Sequence, residues 1–320
     1  ILILSMPLND FCCRLLVQSL INAFSNPLKL KVSCQIMPDS ENTKLCTQTN
    51  IPYLHLPMGQ IPCLFAHANG YPSHCYQPML EQLKGCNVMA PLTRACWDDS
   101  DPNERDQWPL LVEDFLQFAR ARFNETNQPM VAIGHSMGSM TILRAASLEP
   151  QLFSKVVFIE PIFLASHIVE LARLTPRRWR QKSKLVQKTL SRPDSWDSLQ
   201  QAFDFHRSKR AFSALSDPAL WQYIVGGTKP INDRWHLKYP KVWEAWIYQH
   251  LPRAWPLLRK FEVPTLGIRA QQSEFLTEKP WRKWQKIQPH ETFIEFEGQR
   301  HLLPLEAPID VAHAILDFIE

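Results

Sequence analysis

A chain of 320 residues is long enough for two domains of ordinary size or for one large α/β unit carrying an insertion. With 45% hydrophobic and 21% charged residues it has a globular composition, which excludes disordered, collagen-like and coiled-coil classes. The formal charge of +4 is local, because residues 173–192 hold eight basic side chains (Arg173, Arg177, Arg178, Arg180, Lys182, Lys184, Lys188 and Arg192) and no acid. Taking these eight away leaves −4, so the basic balance does not imply a nucleic-acid partner.

Nine glycines and 26 prolines make each glycine informative, and all eight cysteines fall within the first 96 residues. No Cys-x-x-Cys pair and no adjacent His pair gives zinc-ligand spacing. The thiols are therefore read as free, with no metal and no cofactor expected. No run reaches the roughly 18 uncharged apolar residues that would span a bilayer. Residues 1–30 are apolar in patches, but Asp10 and Arg14 interrupt them and no basic segment precedes them, so a secretory signal is not visible. The expectation is a cytoplasmic protein with a leader of uncertain structure over residues 1–50.

From residue 61 onward, short apolar runs alternate with longer runs of helical period, the signature of a parallel sheet flanked by helices. Strands are predicted over 61–65, 87–92, 130–133 and 155–159, and helices over 73–84, 107–123 and 137–148. The alternation breaks over 161–263, a stretch rich in helix formers that holds seven of the eleven tryptophans. It resumes with a strand over 265–269, a helix over 278–287, a strand over 292–296 and a helix over 309–319. The simplest architecture is one doubly wound, mostly parallel sheet with a helical insertion between two strands.

The strand over 130–133 runs into Gly134-His135-Ser136-Met137-Gly138, and a helix follows. This is G-x-S-x-G in the strand-turn-helix setting that gives the pattern meaning, with Ser136 as nucleophile; the plainer reading is a serine capping a helix. A serine hydroxyl needs a base to take its proton. His301, on the loop after the last strand, is the candidate. His290 precedes that strand at the wrong end of the sheet, and His313 lies inside a helix. The acid that orients the base is expected at Glu274, the first carboxylate after the strand that follows the insertion. Glu160, at the end of the strand before the insertion, is its rival.

These pieces, with His67-Ala68-Asn69-Gly70-Tyr71-Pro72, Phe158-Ile159-Glu160-Pro161 and a His301-to-Pro308 ending of the form His-x-x-Pro-x-Glu-x-Pro, resemble the capped serine hydrolases of the α/β-hydrolase fold from residue 53 to the end. The resemblance implies a catalytic domain over 51–160 and 264–320, a cap over 161–263, and an oxyanion hole from the backbone N–H groups of Met137 and Tyr71. It further implies cleavage of a carboxylic ester or related acyl bond in an apolar small molecule through a Ser136 acyl-enzyme. Lactone or C–C bond hydrolysis on the same triad, and a silent protein that only binds a ligand or partner, are the alternatives.

Three features depart from the family pattern: Glu in place of Asp at position 274, Arg300 beside the histidine, and Leu92-Thr93-Arg94-Ala95-Cys96-Trp97 after the second strand. In the cap, the tryptophans with His206, Tyr223 and Tyr248 either line an apolar pocket or pack the cap helices. The basic run 173–192 is either a solvated face or, in the sharper reading, a contact for an anionic membrane surface or an acidic substrate.

Overall fold

A computed structural model describes residues 42–102 and 107–320. Its main sheet has eight strands: β1 (Thr43–Leu45), β2 (Pro52–Pro57), β3 (Gly59–Ala66), β4 (Gly85–Pro91), β5 (Met130–His135), β6 (Phe153–Ile159), β10 (Thr265–Ala270) and β11 (Thr292–Phe296). The spatial order is β1-β2-β4-β3-β5-β6-β10-β11. Only β1 with β2 and β2 with β4 pair antiparallel; every later pair is parallel.

The buried strands read as unbroken apolar runs because both faces are covered. On β3, Cys63 and Phe65 join one core while Leu64 and Ala66 join the other; on β5, Val131 and Ile133 face the first while Met130 and Ala132 face the second. The long helices α1 (Trp108–Thr126) and α2 (Met137–Leu148) complete the second core, and the C-terminal helix Pro308–Ile319 sends Val311 and Ile315 into the first.

Two expectations are corrected. Within the stretch read as a leader, residues 43–45 form the edge strand of the sheet and Cys46 is buried against the core; residues 1–41 lie outside the described ones. The helix expected over 73–84 is replaced by a 3-10 turn, Ser73–Tyr76, and one helical turn, Gln77–Leu80. Pro78 is the cause: it has no N–H for the His74 carbonyl and its ring crowds that oxygen. The His74 carbonyl accepts from the Gln77 N–H, which closes the 3-10 turn, and from Gln222 Nε2 at 2.8 Å, which ties the insertion to the catalytic domain.

The insertion holds α3 (Ser166–Leu174), α4 (Lys184–Ser191), α5 (Leu199–Arg207), α6 (Asp217–Gly227) and α7 (Lys241–Gln249). It also contains a small antiparallel sheet of β7 (Ser195–Trp196), β9 (Arg234–Leu237) and β8 (Thr228–Ile231), which the helical expectation missed. The β8–β9 hairpin turns on Asn232 and Asp233, both with positive φ, as tight two-residue hairpins require. Pro230 is tolerated because β8 is an edge strand. Among the described residues no helix is long and apolar enough to cross a membrane.

Helix α6 lies backbone to backbone on the Ser73–Tyr76 turn, and a Cβ at Gly226 would stand 2.6 Å from the His74 carbonyl carbon. Gly226→Ala is therefore expected to lower stability by roughly 1–3 kcal/mol, read from urea unfolding midpoints at constant m. An unchanged midpoint would show that this junction is loose.

Candidate active site

The carboxyl ends of β3, β5, β6, β10 and β11 lie side by side, through register pairs such as Ala66 with Gly134, His135 with Ile159, Ile159 with Ile268 and Ala270 with Phe296. The loops that leave these ends therefore converge, the usual place for a site in a doubly wound sheet.

Ser136 sits between β5 and α2 at φ 55° and ψ −111°, a backbone state that a non-glycine residue occupies only when its neighbours force it. The flanking glycines allow that turn. A Cβ at Gly138 would lie 2.0 Å from the Ala66 carbonyl oxygen, and one at Gly134 would lie 2.6 Å from the Ser139 nitrogen. Ser136 is 4% exposed, and its hydroxyl donates to His301 Nε2 at 3.0 Å.

The acid against His301 is Glu160, not Glu274. His301 Nδ1 donates to Glu160 Oε2 at 2.9 Å. Glu160 is fully buried and also accepts from the Ala270 N–H at 2.7 Å and from the Ser273 hydroxyl. Its φ of 50° marks a second strained backbone position, at the end of β6. Glu274 is 73% exposed at the side chain and pairs with Arg210 at 2.8 Å. The turn after β10, closed by Ser273 N–H to the Ala270 carbonyl at 3.0 Å, directs residue 273 inward and leaves residue 274 outside.

The loop after β3 corrects a second expectation. The Tyr71 N–H donates to the Ala68 carbonyl at 3.2 Å, and the Ala68 N–H donates to Tyr76 Oη at 3.3 Å. Among the described residues, the backbone N–H groups of Asn69, Gly70 and Met137 have no acceptor. Met137 heads α2, where the first N–H groups of a helix are left open and the helix dipole is positive.

Two side chains that sequence reasoning passed over join these parts. Tyr76 Oη donates to His135 Nδ1 at 2.7 Å, and His135 Nε2 donates to the His301 carbonyl at 2.8 Å, which fixes the His135 tautomer. A buried chain of hydrogen bonds thus runs from the loop after β3, through Tyr76 and His135, to the backbone of the candidate base. Burial holds the His135 pKa well below the ordinary value, so the ring stays neutral and the relay keeps its direction. His135 was visible as the variable residue of G-x-S-x-G; Ser273 stood one place before Glu274. Neither position has a sequence signal of its own.

The remaining departures resolve by geometry. Arg300 extends its guanidinium to Ser213 Oγ of the cap at 3.1 Å, away from the imidazole. Arg94 is clamped by Asp114 at 2.7 Å and Asp98 at 3.0 Å, so the loop after β4 braces α1. In the cap, Trp196, Trp243, Trp246 and Trp255 are buried, and His206 is enclosed by Trp196, Phe212 and Tyr223, which favours packing over a pocket for these residues. Phe275 lies 4.2 Å from the His301 ring, centre to centre, and covers it. Among the described residues no cluster of side chains could hold a metal ion.

The sequence profile of the alpha/beta hydrolase fold matches residues 61–308, and the chain belongs to that family. A type I acyl-CoA thioesterase of Penicillium brevicompactum is 25% identical over 175 residues, which are 51% of this chain and 38% of that protein. Its counterpart in Penicillium roqueforti is 24% identical over 164 residues, 48% of this chain and 36% of that one. The match therefore spans less than half the length of these relatives. Among solved structures, a peroxisomal α/β-hydrolase of Saccharomyces cerevisiae superposes with a TM-score of 0.69 at 18% identity, over 88% of this chain and 85% of that one. A thioesterase domain from the curacin biosynthetic pathway gives 0.66 at 18% identity, over 87% of this chain and all of that domain. The family match and these solved structures agree on the α/β-hydrolase fold.

Two outcomes follow from this geometry. Glu160→Gln should lower kcat/KM on p-nitrophenyl esters by roughly a hundredfold or more, while Glu274→Gln stays within about twofold of wild type; the reverse order would reinstate Glu274. The second concerns acid. Burial pushes His67, His74 and His206 down to about 4, and holds His135 well below its ordinary value. In the unfolded chain each titrates near 6.5, so below that pH the unfolded state binds more protons. Stability is complete above about 6.5 and declines as the pH falls toward 4, by on the order of 1–2 kcal/mol per ring at about pH 5. Urea midpoints should drop accordingly between neutral pH and pH 5, and a flat profile would contradict it.

Proposed function

We propose that the chain cleaves an acyl ester or thioester through a covalent acyl-enzyme on Ser136. One observation carries the reading: Ser136, His301 and Glu160 form an unbroken hydrogen-bonded line, at 3.0 Å and 2.9 Å, in the order that nucleophilic acyl transfer needs.

In this mechanism the Ser136 hydroxyl attacks the acyl carbon as its proton passes to His301 Nε2. The imidazolium formed is stabilised by Glu160 through Nδ1–H. Negative charge gathers on the carbonyl oxygen, where preorganised N–H donors give the largest electrostatic gain. The open N–H of Met137 is one donor, and the Asn69–Gly70 segment supplies the other in place of Tyr71. Collapse expels the alcohol or thiol, which takes the proton from His301. Water then attacks the acyl-enzyme with His301 again as base, releasing the acid and restoring Ser136.

Thioesters are included because the curated relatives are named as acyl-CoA thioesterases. The silent-protein alternative rested on Arg300, whose guanidinium turns to Ser213 instead of the imidazole. A reducing, cytoplasmic setting belongs to the same proposal, supported by the free thiols of Cys46, Cys63, Cys75, Cys86 and Cys96.

Labelling with a fluorophosphonate probe tests the nucleophile. Wild type should label, Ser136→Ala should not, and failure of folded wild type to label would sink the enzyme reading. Matched acyl-CoA and p-nitrophenyl ester series over several chain lengths should then show turnover on at least one. If only the C–C bonds of diketones turn over, the ester or thioester assignment is wrong.

A further inference from the structure

Among the described residues most large apolar side chains are buried, and the exposed ones are unevenly placed. Of the eleven large hydrophobic residues exposed among the described ones, five (Ile168, Leu171, Leu174, Trp179 and Leu185) fall within residues 168–185 of the cap. Leu174 is 81% exposed, Leu171 68% and Trp179 63%. On α3, positions 168, 171 and 174 follow at intervals of three and share one side of the helix, while Val169 turns to the core. Scattered single exposures are normal, but a concentration on one surface element marks an interaction site.

The same stretch is strongly basic. Arg173, Arg177, Arg178, Arg180, Lys182 and Lys184 lie among these apolar side chains, with Glu170 the only acid of residues 168–185. Glu170 is taken by Arg253 through two contacts of 2.6 Å. Beside Leu174 the surface opens into a cavity of about 440 Å³ lined by Arg144, Arg173, Arg180 and Arg253, with Glu170 as the sole carboxylate of its lining. Arg180 donates to the Gln249 carbonyl at 2.6 Å, and its Nε–H is buried with no acceptor.

We propose that this face of the cap docks on an anionic lipid surface. Leu171, Leu174 and Trp179 enter the interface between headgroups and acyl chains, where aliphatic and indole side chains are favoured. The surrounding arginines and lysines meet the negative headgroups, and the arginine-lined cavity receives a lipid phosphate by charge-assisted hydrogen bonds. Neither contribution suffices alone: few apolar residues insert, and a basic patch without insertion is screened by salt. The pairing of the two in one segment favours a lipid surface over a soluble partner. The docking face uses none of the residues placed in the catalytic site, so it stands or falls separately from the acyl-hydrolase reading.

The test is cosedimentation of the full chain with vesicles of phosphatidylcholine alone and of an equimolar mixture of phosphatidylcholine and phosphatidylglycerol. Binding is expected to the mixed vesicles only, to weaken steeply with added salt, and to fall at least about tenfold in Leu174→Glu/Trp179→Glu. Arg173→Glu/Arg178→Glu should reduce it similarly. Unchanged thermal melting and fluorophosphonate labelling confirm that the variants remain folded. The proposal is overturned if neither vesicle binds, if both bind equally, or if Leu174→Glu/Trp179→Glu binds like wild type. It is also overturned if the patch is covered by a second copy, seen as a dimer that the Leu174→Glu/Trp179→Glu variant dissociates, or if inorganic phosphate binds the cavity while the vesicles do not.

Discussion

The buried carboxylate of Glu160 is the group on which the geometry of the site depends. A fully buried carboxylate is costly unless donors surround it, and breaking such an arrangement leaves an uncompensated charge. Its donors come from three places in the chain: the Ala270 backbone at the end of β10, the Ser273 hydroxyl in the following turn, and His301 on the loop after β11. They meet only because β6, β10 and β11 run parallel in one register. The sheet thus serves as a ruler, and the imidazole is aimed at Ser136 by a group whose own satisfaction requires that ruler to be intact.

A second set of contacts holds the same parts from the other side. Ser136 is wedged by the close approach of α2 to β3, which only Gly138 permits, while His135 beside it grips the backbone of His301. Ser136 and His301 are each fixed by groups outside the Ser136–His301–Glu160 line, so their separation does not depend on the Ser136–His301 hydrogen bond alone. A catalytic constellation needs such support to stay within about half an ångström of its working geometry.

Most of the sheet was legible in the sequence because buried parallel strands are apolar along their whole length, and the elbow because its glycines answer a steric demand that no other residue meets. Ser136 and His301 were therefore named from position, and the structure brings the two together. Glu274, named as the acid, lies outside that line. Chain order placed both Glu160 and Glu274 beyond strand ends, and only the turn at Ser273 decides which carboxylate faces inward. The Tyr71 N–H failed as a donor for a similar reason: a turn consumes it, and turn closure leaves no trace in residue type. In the insertion, helix-forming composition hid the β8–β9 hairpin, whose one local sign was the Asn232–Asp233 pair.

The basic run shows what charge without direction conceals. Eight like residues in sequence divide in space: Arg192 turns inward to Glu244, and that glutamate sits against the loop after β3, where its backbone carbonyl accepts from Asn69 Nδ2 at 3.1 Å. A Cβ at Gly70 would stand 2.8 Å from the Glu244 carboxylate. The ion pair travels with the cap, but its surroundings are the candidate oxyanion loop. Together with Gln222 on the His74 carbonyl and Trp243 on the Ser100 carbonyl at 2.9 Å, it binds the later half of the insertion to the catalytic domain. A cap anchored in this way cannot swing open as a body without breaking these hydrogen bonds. Earlier in the insertion, Leu171, Leu174 and Trp179 turn outward instead.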